Sequence, residues 1–423
     1  MSVSIKPGYK QTDVGVIPEE WDVCPVGQKG EILTGKALAV NGPGRQRPYL
    51  RTKNVFDGRI DIDDVLTMPM TDEQFANFRV RQGDVLLNEG QSLELVGRCA
   101  MYQEEYPEPC AIQNQLIRFR ARSTVSGIFA SYLFRHCQQT GVFARIALQT
   151  TSIAHLGGSR FARLQLAWPK SEAEQRAIAE ALSDVDALLG ALDRLIAKKH
   201  DLKQAAMQQL LTGQTRLPGF HGEWEVKRLG ELGEISGSGV DKKSRPDEIP
   251  VRLVNYMDVY RRAFIFSEDL DHWVTAQPHQ VRRCAVQKGD VFFTPSSETR
   301  DDIANSAVAM EDIADAAYSY HLVRLRLKEP WDLCFRTYAF KTHAFLNQAE
   351  TICDGGGTRY VISLGKFRSL TVNVPPLPEQ TAIAAVLSDM DAELAGLEQR
   401  REKTLALKQG MMQELLTGRT RLL

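Results

Sequence analysis

The sequence predicts an α+β protein: two mixed α/β globules separated by a pair of long antiparallel coiled-coil helices, with a pseudo-twofold internal duplication. Three observations predict it. A shift of 205 positions superimposes Glu174–Leu217 on Glu379–Leu422 without a gap, with roughly 25 of about 44 positions identical. Both copies carry an apolar seam of coiled-coil spacing. The segments outside them are built of short β-rich runs divided by Gly, Pro and Asp turns.

The first globule is expected over 1–170, with strands in "RPYLRTKNV", "GDVLLN", "NQLIRFR" and "LQLAWP" and a helix around Val125 to Gln138. A long helix follows over 171–212. Its seam is Ile178, Leu182, Val185, Leu189, Leu192 and Ile196, advancing by alternating steps of four and three. Ser171 with Glu174 makes a capping box, and Gly213 with Pro218 beyond it stops the helix. The second globule, 213–375, repeats the first weakly: "EWEVKRLGELGEI" resembles "EWDVCPVGQKGEI", "QKGDVFFT" resembles "RQGDVLLN", and a helix over Leu333 to Leu346 matches the one near Val125. The last helix, 376–423, opens at Pro378, repeats the seam at Ile383, Leu387, Met390, Leu394 and Leu397, and stops at Gly418. Further along, Leu202, Met207, Leu210 and Leu211 match Leu407, Met412, Leu415 and Leu416. A single helix with one apolar seam is not stable alone in water, and its natural partner is its own copy, run antiparallel.

Composition sets limits. The chain has 423 residues, 43% of them apolar and 25% charged, ordinary for a globular protein. No apolar run approaches the ~20 residues of a membrane helix, and the N-terminus has no signal-peptide core. Seven scattered cysteines without a C-x-x-C argue against a disulfide framework or zinc and for a cytoplasmic protein. The net charge of −1 hides a gradient. From Pro109 to Ser171 there is no acid, but there are Arg118, Arg120, Arg122, Arg135, Arg145, Arg160, Arg163 and Lys170. Such a stretch is either an electrostatic footprint or a solvated basic face.

No catalytic constellation is present. "GEILTGKA" at Gly30 imitates a P-loop but lacks the final Ser/Thr, so its glycines are read as turns. "NVPPL" at Asn373 lacks the aromatic of an amino-methyltransferase loop, "DGGGT" at Asp354 is no dinucleotide fingerprint, and "DVY" at Asp258 lacks the lysine of a nuclease site.

"IPEEWDV" and "LPGFHGEWEV" at the starts of the globules, the "GDV" strands at Gly83 and Gly289, the junctions "LAWPKSEAEQRAIAEALSDVDALL" and "VNVPPLPEQTAIAAVLSDMDAEL", and "KQAAMQQLLTGQTRLPGF" resemble the DNA specificity subunits of Type I restriction-modification systems over essentially the whole chain. The first junction departs from the family's Pro-Leu-Pro-x-x-Glu-Gln pattern at Pro169-Lys-Ser. The resemblance implies two target-recognition domains, each reading one half of a split site on double-stranded DNA. It also implies docking of two methyltransferase subunits, which nuclease/translocase subunits can join. The chain itself would be non-catalytic and bind no cofactor, leaving S-adenosylmethionine, ATP and Mg to its partners, and would have no membrane association.

For phosphate contacts the candidates are Arg118, Arg120, Arg160 and Arg163, with Arg324, Arg326, Lys366 and Arg368 in the second half, and Arg359 as a further basic group. The alternative for the paired arginines is a sheet edge protected by charge. For base edges they are Asn88, Gln115, Thr294, Ser296, Arg300 and His321, with Arg45, Arg47 and Arg51 in the loop from Asn41. Ordinary turns are the alternative there. A different functional class also fits the pattern: a coiled-coil assembly scaffold whose globules bind protein partners.

Overall fold

The computed structural model describes residues 5–37, 41–149 and 152–422. Two helices dominate it, α1 (Glu172–Leu211, 40 residues) and α2 (Leu377–Leu415, 39 residues). The chain divides into two compact units, 1–193 with 400–423, and 194–399. The division falls inside the long helices because each helix half packs with a different globule.

In unit 1 an antiparallel sheet runs in the order Cys99–Met101, Val85–Asn88, Leu116–Ala121, Gly30–Thr34. Beside it lie Ala111–Ile112, Arg45–Leu50 and Leu66–Met70, and the pair Trp21–Pro25 with Gln165–Pro169. Unit 2 repeats the plan: Gly233–Ser236, Val323–Leu327, Val291–Phe293, Ser306–Ala309 and Phe264–Ile265 form its main sheet, and Glu225–Arg228 pairs with Thr371–Val374. The β runs expected from sequence are strands, except that "RPYLRTKNV" leaves the strand after Leu50 and turns at Thr52–Asn54. Gly30 and Gly35 are not turn residues, however: Gly30 is extended, and a Cβ at Gly35 would stand 2.1 Å from the Gln113 carbonyl oxygen. These glycines let neighbouring backbone approach, and Gly30–Thr34 of "GEILTGKA" is strand, not phosphate loop.

The core of each unit joins globule and helices. In unit 1 Phe134 packs edge-on against Phe119 (4.9 Å) and Phe161 (5.0 Å), and the same cluster takes in Ile178, Leu182, Met412 and Leu415. In unit 2 Phe293 meets Phe340 and Phe367 at 5.1 and 5.0 Å, in a cluster with Leu210, Leu211, Ile383 and Leu387. Seam residues Ile178, Leu182, Leu189, Leu192, Ile383, Leu387 and Leu394 are buried; Val185, Ile196, Met390 and Leu397 are half-buried. Of the residues matched beyond the seam, Leu210, Leu211, Met412, Leu415 and Leu416 are buried, whereas Leu202 and Leu407 are 47% and 59% exposed. Toward the middle of the helices the pairing passes from apolar to ionic: Asp186 with Lys408 and Asp193 with Arg401 in unit 1, Lys199 with Glu393 and Lys203 with Asp391 in unit 2. Rising numbers on one helix meet falling numbers on the other, so the helices are antiparallel within each unit.

Three local features differ from the sequence reading. Ser171 Oγ accepts from the Glu174 amide, but the Glu174 carboxylate is engaged elsewhere and does not close a capping box. Pro378 is the second residue of α2, not the first. The helix expected over Leu333 to Leu346 is two, Leu333–Ala339 and His343–Ile352, because Thr342 caps the second by accepting from the Phe345 amide. Gly213 and Gly418, at φ +73° and +72°, end α1 and α2 in the left-handed conformation expected of them.

One repeated position has lost its partner. Arg135 in unit 1 is neutralised by Asp57 and Asp186. Its counterpart in unit 2 is Lys341, which burial, reinforced by the charge of Lys203, pushes down to about 8. Between about pH 8 and 10.5 the unfolded chain binds more protons at this lysine than the folded one, so stability rises with pH there; below pH 8 the full penalty applies. Lys341→Met is therefore expected to stabilise unit 2 at pH 7 by on the order of 2–3 kcal/mol, with the gain shrinking above pH 8. Urea unfolding at pH 7 and pH 9.5 checks this.

Candidate nucleic-acid interface

The paired arginines are the first surprise of the site. Arg118 and Arg120 share one face of Leu116–Ala121, as strand alternation requires. That face is covered. Arg118 is 1% exposed, donating to the Asn77 and Arg79 carbonyls at 2.9 and 2.8 Å and to Glu31 at 2.7 Å. Arg120 makes a two-toothed pair with buried Asp84, both bonds 2.7 Å. Unit 2 repeats this: Arg324 with Glu234 and the Arg283 and Ala285 carbonyls, Arg326 with Asp290. The "GDV" motif thereby gains its reason. Gly83 and Gly289 turn the chain at φ +86° and +85°, and the following aspartate accepts from a backbone amide and from the arginine.

Arg118 and Arg324 are buried and structural, which corrects their phosphate assignment, whereas Arg120 and Arg326 are tied to buried aspartates with part of each side chain still at the surface. Much of the acid-free stretch is also compensated, which leaves Arg122, Arg145 and Arg163 as its exposed arginines. Besides Arg118 and Arg120, its Arg135 and Lys170 pair with acids outside the stretch, and Arg160 is spent on the His155 and Leu156 carbonyls. A sheet brings compensating charge from distant sequence, which a linear scan cannot see.

Other candidates are also engaged internally. Arg47 bonds Asp72 at 3.0 Å and covers Phe75; Arg51 bonds Asp64 and Lys366 bonds Asp354. Asn88 and Thr294 are fully buried beneath the strand ends and present nothing to a base edge. Arg45, Gln115, Arg163, Arg359 and Arg368 are exposed, and Arg300 lies over the Tyr360 ring at 5.4 Å.

In unit 2 three of the candidates converge. Ser296, His321 and Arg359 line a cleft of about 520 Å³ together with Tyr256, Met257, Tyr260, Ser297, Glu298, Thr299, Asp302 and Thr358. The short helix Tyr256–Arg261 forms one wall, and its two tyrosines stack with ring centroids 6.0 Å apart. Tyr256 donates to the Ser296 carbonyl at 2.9 Å, and Tyr260 to Asp302 at 2.8 Å. The hairpin Asp354–Gly356/Arg359–Val361, paired to Ser296–Ser297, carries Arg359. Burial, with the nearby charges of Lys242 and Arg359, holds His321 below the usual imidazole range, so it is neutral at pH 7. The cleft thus combines aromatic walls, polar groups of both senses and cationic neighbours, the composition that suits contact with nucleotide bases.

The corresponding place in unit 1 has other residues: Gln115 and Gln91, with His155 Nδ1 at 3.0 Å from Glu89. Sequence reading missed Tyr256, Met257 and Tyr260, although two tyrosines four apart beside the basic loop "DKKSRP" were the available signal.

A second constellation occurs twice. Arg216, from the "LLTGQTRL" ending, grips buried Glu379 at the start of α2 with bonds of 2.5 and 2.6 Å, and Trp224 Nε1 donates to the same carboxylate at 2.9 Å. Arg421, from "LLTGRTRL", grips Glu174 at 2.5 and 3.0 Å, with Trp21 Nε1 at 3.3 Å. Tyr9 Oη also donates to the Gly418 carbonyl at 3.0 Å, tying the N-terminal segment to this ending within unit 1. The repeated motif latches the exit of one long helix to the start of the other and to the tryptophan that opens a globule.

Among the described residues no helix is long and apolar enough to cross a membrane, and no cluster of His, Cys, Asp or Glu could hold a metal ion.

Comparison with known proteins agrees with this architecture. Residues 221–407 match the Type I restriction modification DNA specificity domain family. A putative type I restriction enzyme MjaX specificity subunit of Methanocaldococcus jannaschii is 22% identical, covering 98% of this chain and 96% of its own. The MjaVIII specificity subunit of the same organism is also 22% identical, over 96% and 94%. A chain from a structure of a type I R-M system assembly superimposes with TM-score 0.60 at 16% identity, over 96% of this chain and 99% of that one. The HsdS subunit of Thermoanaerobacter tengcongensis gives 0.50 at 17% identity over 96% and 98%. These two share the fold. Residues 221–407 thus match the family's DNA specificity domain, and the chain as a whole is similar, over nearly its full length, to Type I restriction-modification specificity subunits.

Proposed function

We propose that this chain is the DNA-reading subunit of a Type I restriction-modification complex. Each unit reads one half of an asymmetric, two-part site on double-stranded DNA. The observation that carries this is the contrast between what the duplication kept and what it changed. The Arg–Glu–Trp latch and the antiparallel helix pair recur with the same chemistry, whereas the tyrosine-walled cleft of unit 2 has Gln91, Gln115 and His155 in its place in unit 1. Like helical surfaces offer equivalent seats to two copies of one methyltransferase subunit. Unlike globules read unlike bases. The chain performs no catalysis and holds no cofactor; S-adenosylmethionine belongs to the methyltransferase, and ATP and Mg to any nuclease/translocase subunit that joins. The work is done in the cytoplasm, where the DNA is.

Reconstitution tests this. The purified chain, its methyltransferase partner and S-adenosylmethionine should together methylate adenine only at a two-part site, and either protein alone should not. Methyl transfer by this chain alone would refute the proposal.

A further inference from the structure

The cleft of unit 2 holds two opposite charges that are not spent on each other. Arg359 and Glu298 both line it, both are exposed, and the side chain of neither makes a hydrogen bond or ion pair among the described residues. The Asp302 carboxylate stands in the same cleft, each oxygen accepting one bond: from Tyr260 Oη at 2.8 Å and from Asn305 Nδ2 at 3.0 Å. Because Tyr256 and Tyr260 have given their protons to the Ser296 carbonyl and to Asp302, each presents only acceptor lone pairs to a ligand.

A phosphate cannot enter such a cleft favourably. Two carboxylates and two acceptor oxygens would face it, against one free guanidinium. A base edge can, because the major-groove edge of a G·C pair carries both senses of partner: acceptors at guanine O6 and N7, and a donor amino group at cytosine N4. The geometry points to Arg359 and Glu298 as specificity-determining residues, Arg359 pairing with guanine O6 and N7 and Glu298 accepting from cytosine N4. The half-site read by unit 2 therefore contains G·C. This rests on the DNA-reading function proposed above and names the bases that function would select.

The test is a map of methylated positions made by the reconstituted complex of the full chain and its methyltransferase partner, for the wild type, Arg359→Ala and Glu298→Ala. Both side chains are exposed, so thermal midpoints should stay unchanged. Each variant is expected to relax one G·C position in one block of the site, with discrimination there falling about 5- to 150-fold, while the other block is read as before. Arg359→Lys, which keeps the charge but loses the two-toothed geometry, should relax the same position. Methylation weakened equally at all sequences would make Arg359 a phosphate contact and overturn the inference. So would an unchanged motif, or a motif whose relaxed block holds only A·T. If instead the wild-type complex marks no two-part motif, the function proposed above fails first and the inference falls with it.

Discussion

Alanine at Arg216 is expected to lower the unfolding free energy of unit 2 by about 3–5 kcal/mol, among the largest losses any single substitution in the chain should cause. The reason is what it leaves behind. Glu379 is 1% exposed and accepts the two guanidinium bonds and that of the Trp224 indole. Without Arg216 that carboxylate is buried and uncompensated, and the start of α2 loses its tie to the end of α1 within unit 2. Arg421→Ala should do the same to unit 1 through Glu174. Chemical denaturation followed by tryptophan fluorescence reads both, since Trp224 and Trp21 sit in the two latches. Changing Glu379 to Gln together with Arg216→Ala should recover part of the loss, as the neutral amide needs no counter-charge. Full stability of the single variant would show the latch to be ornamental.

The second large effect concerns Arg118 and Arg324. Were they phosphate contacts, replacement by Glu would weaken DNA binding and leave folding within about 0.5 kcal/mol, as for most surface changes. The structure reverses that expectation. Arg118→Glu would bury a carboxylate among the Asn77 and Arg79 carbonyl oxygens beside Glu31, all acceptors, with a cost above about 4 kcal/mol. Arg118→Ala leaves two carbonyls without a donor and an empty channel, about 2–4 kcal/mol. Arg163→Ala and Arg368→Ala, on exposed side chains, should leave the unfolding midpoint where it is. Midpoints of the four variants, measured side by side, decide between the two roles.

The architecture was legible in the sequence because it is written twice. Periodicity located α1 and α2, the glycines at 213 and 418 located their ends, and a shift of 205 residues showed the duplication. Not every matched leucine is buried: Leu202 and Leu407 are exposed, in the stretch where ion pairs such as Lys203 with Asp391 take over. The site was much less legible. Exposed and buried arginines have the same letter, and the partners of Arg118 and Arg120 lie 87 and 36 residues away in sequence. Only topology brings Glu31 and Asp84 to them. The same blindness hid the cleft, whose walls come from Tyr256 to Tyr260, from Ser296 to Asp302, from His321 and from Thr358 with Arg359, four segments with no shared motif.

The account stands on one claim: a duplicated chain in which each unit reads its own half of a divided DNA site. The measurement that meets it most directly is the complete set of adenines methylated by the wild-type complex on genomic DNA. The prediction is two short blocks of unlike sequence separated by a constant, unspecified interval. A single continuous block, or two identical blocks in inverted order, would contradict it.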